Sequence, residues 1–321
     1  MPQGRWKGIL GVMAVVAALA LVGALVLARR ERPYDSSFDT RVASPAYRSE
    51  RPVVLYDEAH LNTHTTEGGY KPFADLIRND GYDVRPTRDT ISAGRLAGVT
   101  VLVIVGALGT NDANDAPAFS DSESTVIDRW VRAGGSLFLV TDHWPYGPAA
   151  ESLVLGFGVR MGKGLVEDPE HCDPSRGASH LVFSRENGLL ADHPIVRGRN
   201  SSERIDRVLT FTGQSIQGPP QAVAFMALSD SAVERPPTVP TVEKRNGDVR
   251  VSMEYGDPVA AVGRAQGMAL EVGRGRVVIL GESGMLRAQR DSQGTLVGMN
   301  VPRYDNRQLA LNIMHWLSLV L

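Results

Sequence analysis

The sequence predicts an α/β fold: a doubly wound, mostly parallel sheet with helices on both faces, an inserted loop-rich cap, and one N-terminal transmembrane helix. From residue 53 onward, short apolar runs alternate with longer amphipathic segments, and this alternation is typical of a parallel sheet. The run at 99–105, VTVLVIV, has no polar face. A strand of this kind is buried on both sides, so it belongs at the centre of the sheet.

The elements follow in a regular order along the chain. Strands are predicted at 53–56, 82–86, 99–105, 136–141, 259–262, 268–272 and 276–280. Helices are predicted at 72–79, 122–132 and 306–319, where apolar side chains recur along one stripe. The Gly273-Arg274-Gly275 link predicts a tight hairpin between the last two strands.

Changes in composition divide the chain into segments. Residues 1–30 are predicted to be an anchor, and residues 31–51, which are charged, aperiodic and contain Ser and Pro, a flexible tether. The remaining 52–321 form one α/β domain. Within it, the regular pattern is lost from about 160 to 258, which indicates an insertion or cap with long loops.

The anchor prediction depends on residues 8–28, a run of 21 residues without a charge. A helix of that length can cross about 30 Å of hydrocarbon. The alternative is a cleaved signal peptide, because Val26-Leu27-Ala28 is similar to a small-residue cleavage site. We expect a single pass through an inner membrane.

The orientation of the anchor is predicted less directly. Basic residues lie on both sides of the span, and Arg29, Arg30 and Arg32 after it favour a cytoplasmic domain under the positive-inside rule. A short tail ahead of one long apolar segment is instead typical of a bacterial signal-anchor. On that pattern we expect the domain in the periplasm.

Charge and cysteine content limit the partners. The chain has 34 Lys and Arg against 36 Asp and Glu, a formal net charge of -2, and no long basic run that could follow a phosphate backbone. We therefore expect no nucleic-acid partner. Cys172 is the one cysteine in the sequence, so no internal disulfide can form.

Polar residues follow four of the predicted strands, and parallel strands present their carboxyl ends at one edge, where ligands of open α/β sheets bind. We expect one pocket there, with the insertion as its lid. The candidate catalytic residues are Asp142, His143, Glu282 and Ser283. The candidate ligand-binding residues are Asp57, Glu58, His60, His64 and Asn111. His60, His143 and Asp142 are also candidate ligands for a divalent metal.

Other interpretations of these residues stay open. Asp57 and Asp142 precede possible helix starts and could cap them, while His60 and His64 could be solvated loop residues. Asp57-Glu58-Ala59-His60 spells a helicase box, but the chain has no G-x-x-x-x-G-K-[ST] motif. The segment 281–285, GESGM, lacks the final glycine of the G-x-S-x-G nucleophile elbow.

Three segments carry a resemblance to a known family. They are WVRAGGSLFLVTDHWPYG at 130–147, GRGRVVILGESGML at 273–286 and DNRQLALNIMHWL at 305–317. With the order of elements, they resemble uncharacterised, membrane-anchored bacterial proteins (DUF4350-like) of the class I glutamine amidotransferase-like superfamily. The resemblance covers most of 51–321 and implies a flavodoxin-like fold.

The same resemblance argues against glutaminase activity. In active members of that superfamily a cysteine nucleophile follows the strand that corresponds to 136–141. Here Asp142 and His143 follow it, and Cys172 lies in a predicted loop far beyond. A thiolate beside a histidine base is what amide hydrolysis by that route requires.

Two functions remain. The first is an envelope-anchored binding or scaffold module without the cysteine nucleophile, whose partner is an envelope protein complex or a small-molecule ligand. The alternative is a hydrolase that uses carboxylates and histidines at the strand exits, with or without a divalent metal.

Overall fold

A computed structural model of the protein describes residues 34–109, 116–245, 248–291 and 293–321. The helices are α1 (Lys71–Asn79), α2 (Asp121–Arg132), α3 (Tyr146–Leu155), α4 (Pro194–Arg197) and α5 (Asn306–Leu317). The first nine strands are β1 (Val53–Asp57), β2 (Asp83–Thr87), β3 (Val101–Val105), β4 (Ser136–Val140), β5 (Arg160–Met161), β6 (Leu165–Glu167), β7 (Val182–Ser184), β8 (Arg207–Leu209) and β9 (Ile216–Gln217). The others are β10 (Val223–Ala227), β11 (Val233–Arg235), β12 (Pro237–Arg245), β13 (Asp248–Tyr255), β14 (Val259–Ala260), β15 (Ala265–Val272), β16 (Gly275–Leu280), β17 (Ala288–Arg290) and β18 (Leu296–Gly298).

The main sheet joins nine strands of the described chain. Five of them are parallel and lie in the order β2-β1-β3-β4-β16, which is the order of flavodoxin-like sheets. Beyond β16 the sheet continues through antiparallel strands β15, β9 and β5, and β10 also pairs with β15. The predicted α/β domain with a large, mostly parallel sheet is confirmed.

The core consists of two buried layers, one on each face of the sheet. Alternate side chains of β3 enter different layers, Val103 one and Ile104 the other, and every residue of β3 and β4 is buried. Helices α1 and α5 cover the first face, and α2 and α3 cover the second. Because both faces are covered, the central strands need no polar side.

The insertion differs from the predicted loop-rich cap. Residues 160–258 contain nine short strands, β5 to β13, and three of these extend the main sheet. Strands β6, β11 and β14 form a small sheet, β7 pairs with β8, and β12 with β13. Several of these strands have only two or three residues, too few to show a period of two in the sequence.

Residues 34–51, predicted to be part of a flexible tether, lie against the domain. The amide of Ala46 donates to Asp80 Oδ1 over 2.9 Å, and Tyr47 OH donates to Ser318 O over 3.0 Å. Phe38 and Val42 are partly buried against the core. This segment is therefore held on the domain surface, while its role as a membrane tether stays a prediction.

The predicted anchor, residues 8–28, lies outside the described residues. Within the part of the chain that the structure describes, none of the helices is both long enough and apolar enough to cross a bilayer.

Close backbone packing at the start of β16 provides a test of the sheet. A Cβ atom on Gly275 would lie 2.1 Å from the carbonyl oxygens of Gly135 and Val131, whereas a Cβ on Gly94 meets no atom within 4 Å. Gly275→Ala should lower the free energy of unfolding by about 3 kcal/mol, because backbone atoms must move apart. Gly94→Ala should change it by less than about 0.5 kcal/mol. Urea denaturation of both variants measures the difference, and equal stabilities would contradict this packing.

Candidate functional site

The carboxyl ends of β1, β4 and β16 bring most of the predicted site residues to one edge of the sheet. Asp57 ends β1, Asp142 is the second residue after β4, and Glu282 and Ser283 are the second and third residues after β16. Asn111, expected after β3, lies outside the described residues. Most of the remaining predicted site residues belong to two groups, which have different surroundings.

The first group is a buried cluster of Asp57, His60 and Glu123. His60 Nδ1 lies 2.9 and 3.0 Å from the two carboxylate oxygens of Asp57, and His60 Nε2 lies 3.0 Å from Glu123 Oε1. Asn62 Nδ2 also donates to Asp57, over 3.0 Å. The His60 ring packs on Phe119, with centroids 4.3 Å apart. The imidazole is therefore fixed on every side.

The charges of this cluster favour an imidazolium. Burial lowers the pKa of His60. The hydrogen bond to Asp57 and the charges of Asp57 and Glu123 raise it by more than burial lowers it, so the pKa lies above its ordinary value. As an imidazolium, the ring donates one hydrogen bond to each carboxylate. Through these bonds Asp57 and His60 brace the β1 exit against α2.

Sequence reasoning missed Glu123, although a signal for it exists. Ser120-Asp121-Ser122-Glu123 is a capping box: the Ser120 hydroxyl accepts from the Glu123 amide, and the Glu123 carboxylate accepts from the Ser120 amide. Its other oxygen, Oε1, also accepts from the Ile91 amide over 3.0 Å. Glu123 thus caps α2 and also pairs with His60, which lies 63 positions earlier in the sequence.

The second group, which we call the edge site, comprises His64, Asp142, His143, Ser283 and Arg287. Ser283 Oγ donates to Asp142 Oδ2 over 2.6 Å, and the Ser283 amide donates to the same oxygen over 3.1 Å. His64 Nε2 lies 3.3 Å from Ser283 Oγ. Because the hydroxyl proton is directed at Asp142, His64 must carry its proton on Nε2 and donate it to the serine.

His64 is a neutral imidazole. Its ring stacks on Tyr70, with centroids 4.9 Å apart, and Tyr70 OH donates to Ser283 O over 2.6 Å. Burial and then the charge of Arg287 lower the pKa of His64 to about 3. Such an imidazole is a hydrogen-bonding group at neutral pH and a weak base.

His143 lies on the outer side of Asp142. Its amide donates to Asp142 Oδ1 over 2.8 Å, and its Nδ1 donates to Trp144 O over 3.0 Å. The Nε2 atom of the same ring lies 3.6 Å from Asp142 Oδ1. Tyr255, at the end of β13 in the insertion, meets the ring edge-on at 6.3 Å. The insertion thus contacts this edge, and its role as a lid stays a prediction.

Glu282 and Glu58 are used to hold the backbone. Glu282 has no exposed surface, and its two oxygens accept from the amides of Gly284 and Met285. Burial and the charge of Asp142 raise the pKa of Glu282 well above its ordinary value. Glu58 Oε1 accepts from the amide and hydroxyl of Thr66, over 2.9 and 2.8 Å.

Arg287 is the edge-site residue that sequence reasoning missed. It lies directly after the short 3₁₀ helix Gly284–Leu286, and no motif marks it. Its guanidinium is partly buried beside Tyr70 and Tyr146, and burial lowers the pKa of Arg287. Among the described residues its Nε is buried without a hydrogen-bond partner, while the charges of Tyr70, Glu282 and Asp142 partly offset the effect of burial on its pKa. A guanidinium left in this state calls for an acceptor from outside the chain.

The described residues contain no group of three His, Cys, Asp or Glu side chains arranged to hold a metal ion. Of the predicted metal ligands, His143 and Asp142 lie together, whereas His60 belongs to the other cluster. The edge site presents hydrogen-bonding groups of its own, chiefly on Arg287, His64 and His143.

The buried cluster predicts that substitution of His60 lowers the free energy of unfolding more at acid pH than at alkaline pH. A raised pKa means that His60 stabilises the fold in full below its ordinary value of 6.5, and that this contribution is lost as the pH rises through the folded-state pKa. His60→Gln should therefore cost about 3 kcal/mol of unfolding free energy at pH 6, because two buried carboxylates lose a partner. The cost should shrink at alkaline pH.

Urea denaturation of both proteins from pH 6 to pH 9 measures this difference. Arg48→Gln is the control, since Arg48 is exposed and lies outside this cluster. A cost for His60→Gln that is constant, or that grows with pH, would contradict the imidazolium assignment.

Comparisons with known proteins bear on the fold. No family model matches the chain, and no curated protein matches it. Among solved structures, the "mmIFT52 N-terminal domain" matches with a TM-score of 0.55 and 14% identity, over 83% of this chain and 97% of that one. This likeness shows a shared fold and no more.

Two further solved structures score lower. A protein described as ThuA-like from Bacteroides uniformis has a TM-score of 0.38 and 14% identity, over 85% of this chain and 94% of that one. A protein from Thermoplasma acidophilum, described as part of a GMP synthase, has a TM-score of 0.42 and 10% identity, over 85% of this chain and 97% of that one.

Proposed function

We propose that the protein is a membrane-anchored, amidotransferase-like domain of the cell envelope that binds a small ligand at the edge site. The observation that carries the proposal is Arg287, whose partly buried guanidinium has an Nε atom without a hydrogen-bond partner among the described residues. The ligand it calls for carries acceptor oxygens, as a carboxylate or phosphate does, because these match the fork of donors on a guanidinium.

The surrounding groups suit binding better than nucleophilic catalysis. By the resemblance, Asp142 and His143 stand at the turn that holds the cysteine in active amidotransferases, and the Asp142 carboxylate already accepts from Ser283 and from the His143 amide. Cys172 lies in the insertion, between β6 and β7. At the edge site itself, the one histidine that touches a hydroxyl is His64, and a pKa of about 3 makes it a poor base at neutral pH.

A hydrolase is the second candidate, and one observation favours it. Ser283 Oγ lies 2.6 Å from Asp142 Oδ2 and 3.3 Å from His64 Nε2, within or near the reach of proton transfer. In a Ser-His-Asp triad, however, the carboxylate binds the imidazole and the imidazole accepts the serine proton. Here the carboxylate binds the serine directly, and the imidazole is a donor.

The ligand-binding proposal can be tested by measuring anion binding in variants of two arginines, Arg287 and Arg290, which lie three positions apart. Arg287 is partly buried without a partner, whereas Arg290 is 54% exposed and pairs with Asp35. At constant ionic strength, acetate or phosphate in place of chloride should raise the melting temperature of the full-length protein, since ligands stabilise the state that binds them. The rise should be lost in Arg287→Gln and kept in Arg290→Gln.

An equal rise in all three proteins would be a general salt effect and would contradict binding at Arg287. The hydrolase is tested on the same samples with a fluorophosphonate, which labels activated serines. We expect no label at Ser283 and no ammonia release from glutamine. A label on Ser283 that disappears in Ser283→Ala would replace the binding proposal with the hydrolase.

The anchoring part of the proposal is supported by the uncharged run at 8–28. Full-length protein should sediment with membranes and resist extraction by carbonate. Val16→Arg combined with Leu21→Arg should release it, because each arginine at the centre of a span costs about 3 kcal/mol. Replacing Val53 and Val101 with isoleucine is a control that leaves the run intact. Recovery of the wild-type chain as a shortened, extractable species would instead indicate a cleaved signal peptide.

A further inference from the structure

We propose that a cleft in the insertion is a second binding site, for a small zwitterion of the amino-acid or short-peptide class. The cleft has a volume of about 870 Å³ and is bordered by the loop 170–176, by β7 and the turn after it, by Arg207, and by residues 296 and 301–304. This volume lies in the range of sites for small molecules. The proposal is independent of the edge site.

His171, which borders the cleft, has a fixed imidazole. His171 Nδ1 lies 3.1 Å from Asp168 Oδ2, and Asp168 is 1% exposed. The His171 amide also donates to Asp168, over 3.2 Å, and its carbonyl accepts from Val182 over 2.7 Å. Both the ring and the backbone of this residue are therefore held in place.

The carboxylate that holds the ring stays charged. Asp168 accepts from the hydroxyls of Ser229 and Ser231 over 2.6 and 2.8 Å, and from the Glu170 amide. Burial raises the pKa of Asp168, but these hydrogen bonds outweigh it and the pKa lies below its ordinary value. An ionised Asp168 accepts a hydrogen bond from His171 Nδ1, which holds the ring in one orientation at the border of the cleft.

The rim carries charges of both signs. Arg207, Arg303, Glu170 and Glu186 are exposed, and none of them forms a side-chain ion pair with the described residues. Inside the cleft, by contrast, the charge of Asp173 is used: it accepts from Tyr304 OH over 2.9 Å and lies 3.9 Å from Arg176. A ligand with one anionic and one ammonium group would meet an unpaired partner for each.

The backbone at the rim adds a second, independent feature. Arg303 has a φ of +73°, in the left-handed region that residues other than glycine rarely adopt. Strain of this kind costs about 1–3 kcal/mol and is retained where the surrounding structure or a function requires it. Here it places a guanidinium on the border of the cleft.

Cys172 gives a readout that is specific to this cleft. It is the one cysteine of the sequence, it borders the cleft, and it is partly exposed. The rate of its alkylation by iodoacetamide, a neutral reagent, can be followed by mass spectrometry on the full-length protein. A molecule bound in the cleft should shield the thiol, whereas one bound at the edge site should not.

The probes are L-glutamate, L-arginine, L-serine and glycylglycine, each compared with its N-acetyl amide, which lacks both terminal charges. At least one zwitterion should slow alkylation about fivefold or more, and its blocked analogue should not. Arg207→Gln and Glu186→Gln should each weaken that protection about tenfold, the effect of losing one charge-assisted hydrogen bond. His171→Gln should weaken it to a similar extent.

Arg48→Gln is the control, because Arg48 is exposed and borders neither the cleft nor the edge site; its protection should stay within twofold of the wild type. Absence of protection by all four zwitterions, equal protection by blocked analogues, or protection that survives the three cleft substitutions would each overturn the proposal. Arg287→Gln, which removes the edge-site guanidinium, should leave protection unchanged.

Discussion

The sheet brings charged side chains to its carboxyl edge and buries them there, and this burial is the constraint on which the region depends. An unpaired charge in such a position costs several kcal/mol. Each buried acid is therefore surrounded by donors: Asp57 by His60 and Asn62, Asp142 by Ser283 and the His143 amide, and Glu282 by two backbone amides. The loops after the strands take their shape from these bonds.

Because the acids at this edge are paired within the protein, the residues that hold the loops differ from the residue that we propose binds a ligand. At the edge site, the buried atom that stays without a hydrogen-bond partner among the described residues belongs to a base, Arg287. The prediction that these carboxylates are catalytic therefore concerns residues that already accept hydrogen bonds within the protein. The likeness to solved structures concerns the fold, which is shared by proteins with unrelated activities.

The parts that the sequence predicted are those with a local signal. Strands β3 and β4 are buried on both faces and read as unbroken apolar runs, and α1, α2 and α5 show an apolar stripe. Helix α3 was missed because it is buried on most sides, so its sequence has no polar face to set a period. The short strands of the insertion and the positions of Glu123 and Arg287 depend on contacts between distant segments, which no window of sequence contains.

One loop illustrates how strongly surroundings outweigh residue type. His60 and His64 lie four positions apart after β1, yet the first is flanked by two carboxylates and the second by Arg287. The two carboxylates outweigh burial and raise the pKa of His60, whereas burial and then the charge of Arg287 lower the pKa of His64 to about 3. His64 stabilises the fold above its ordinary value of 6.5, and this contribution is lost as the pH falls towards 3. His60 acts in the opposite direction, losing its contribution as the pH rises through its raised pKa. The two contributions together are therefore greatest near pH 6.5, where His60 is charged and His64 is neutral in the folded protein. At that pH the brace against α2 and the hydrogen bond to Ser283 are both intact, so the edge site keeps one geometry.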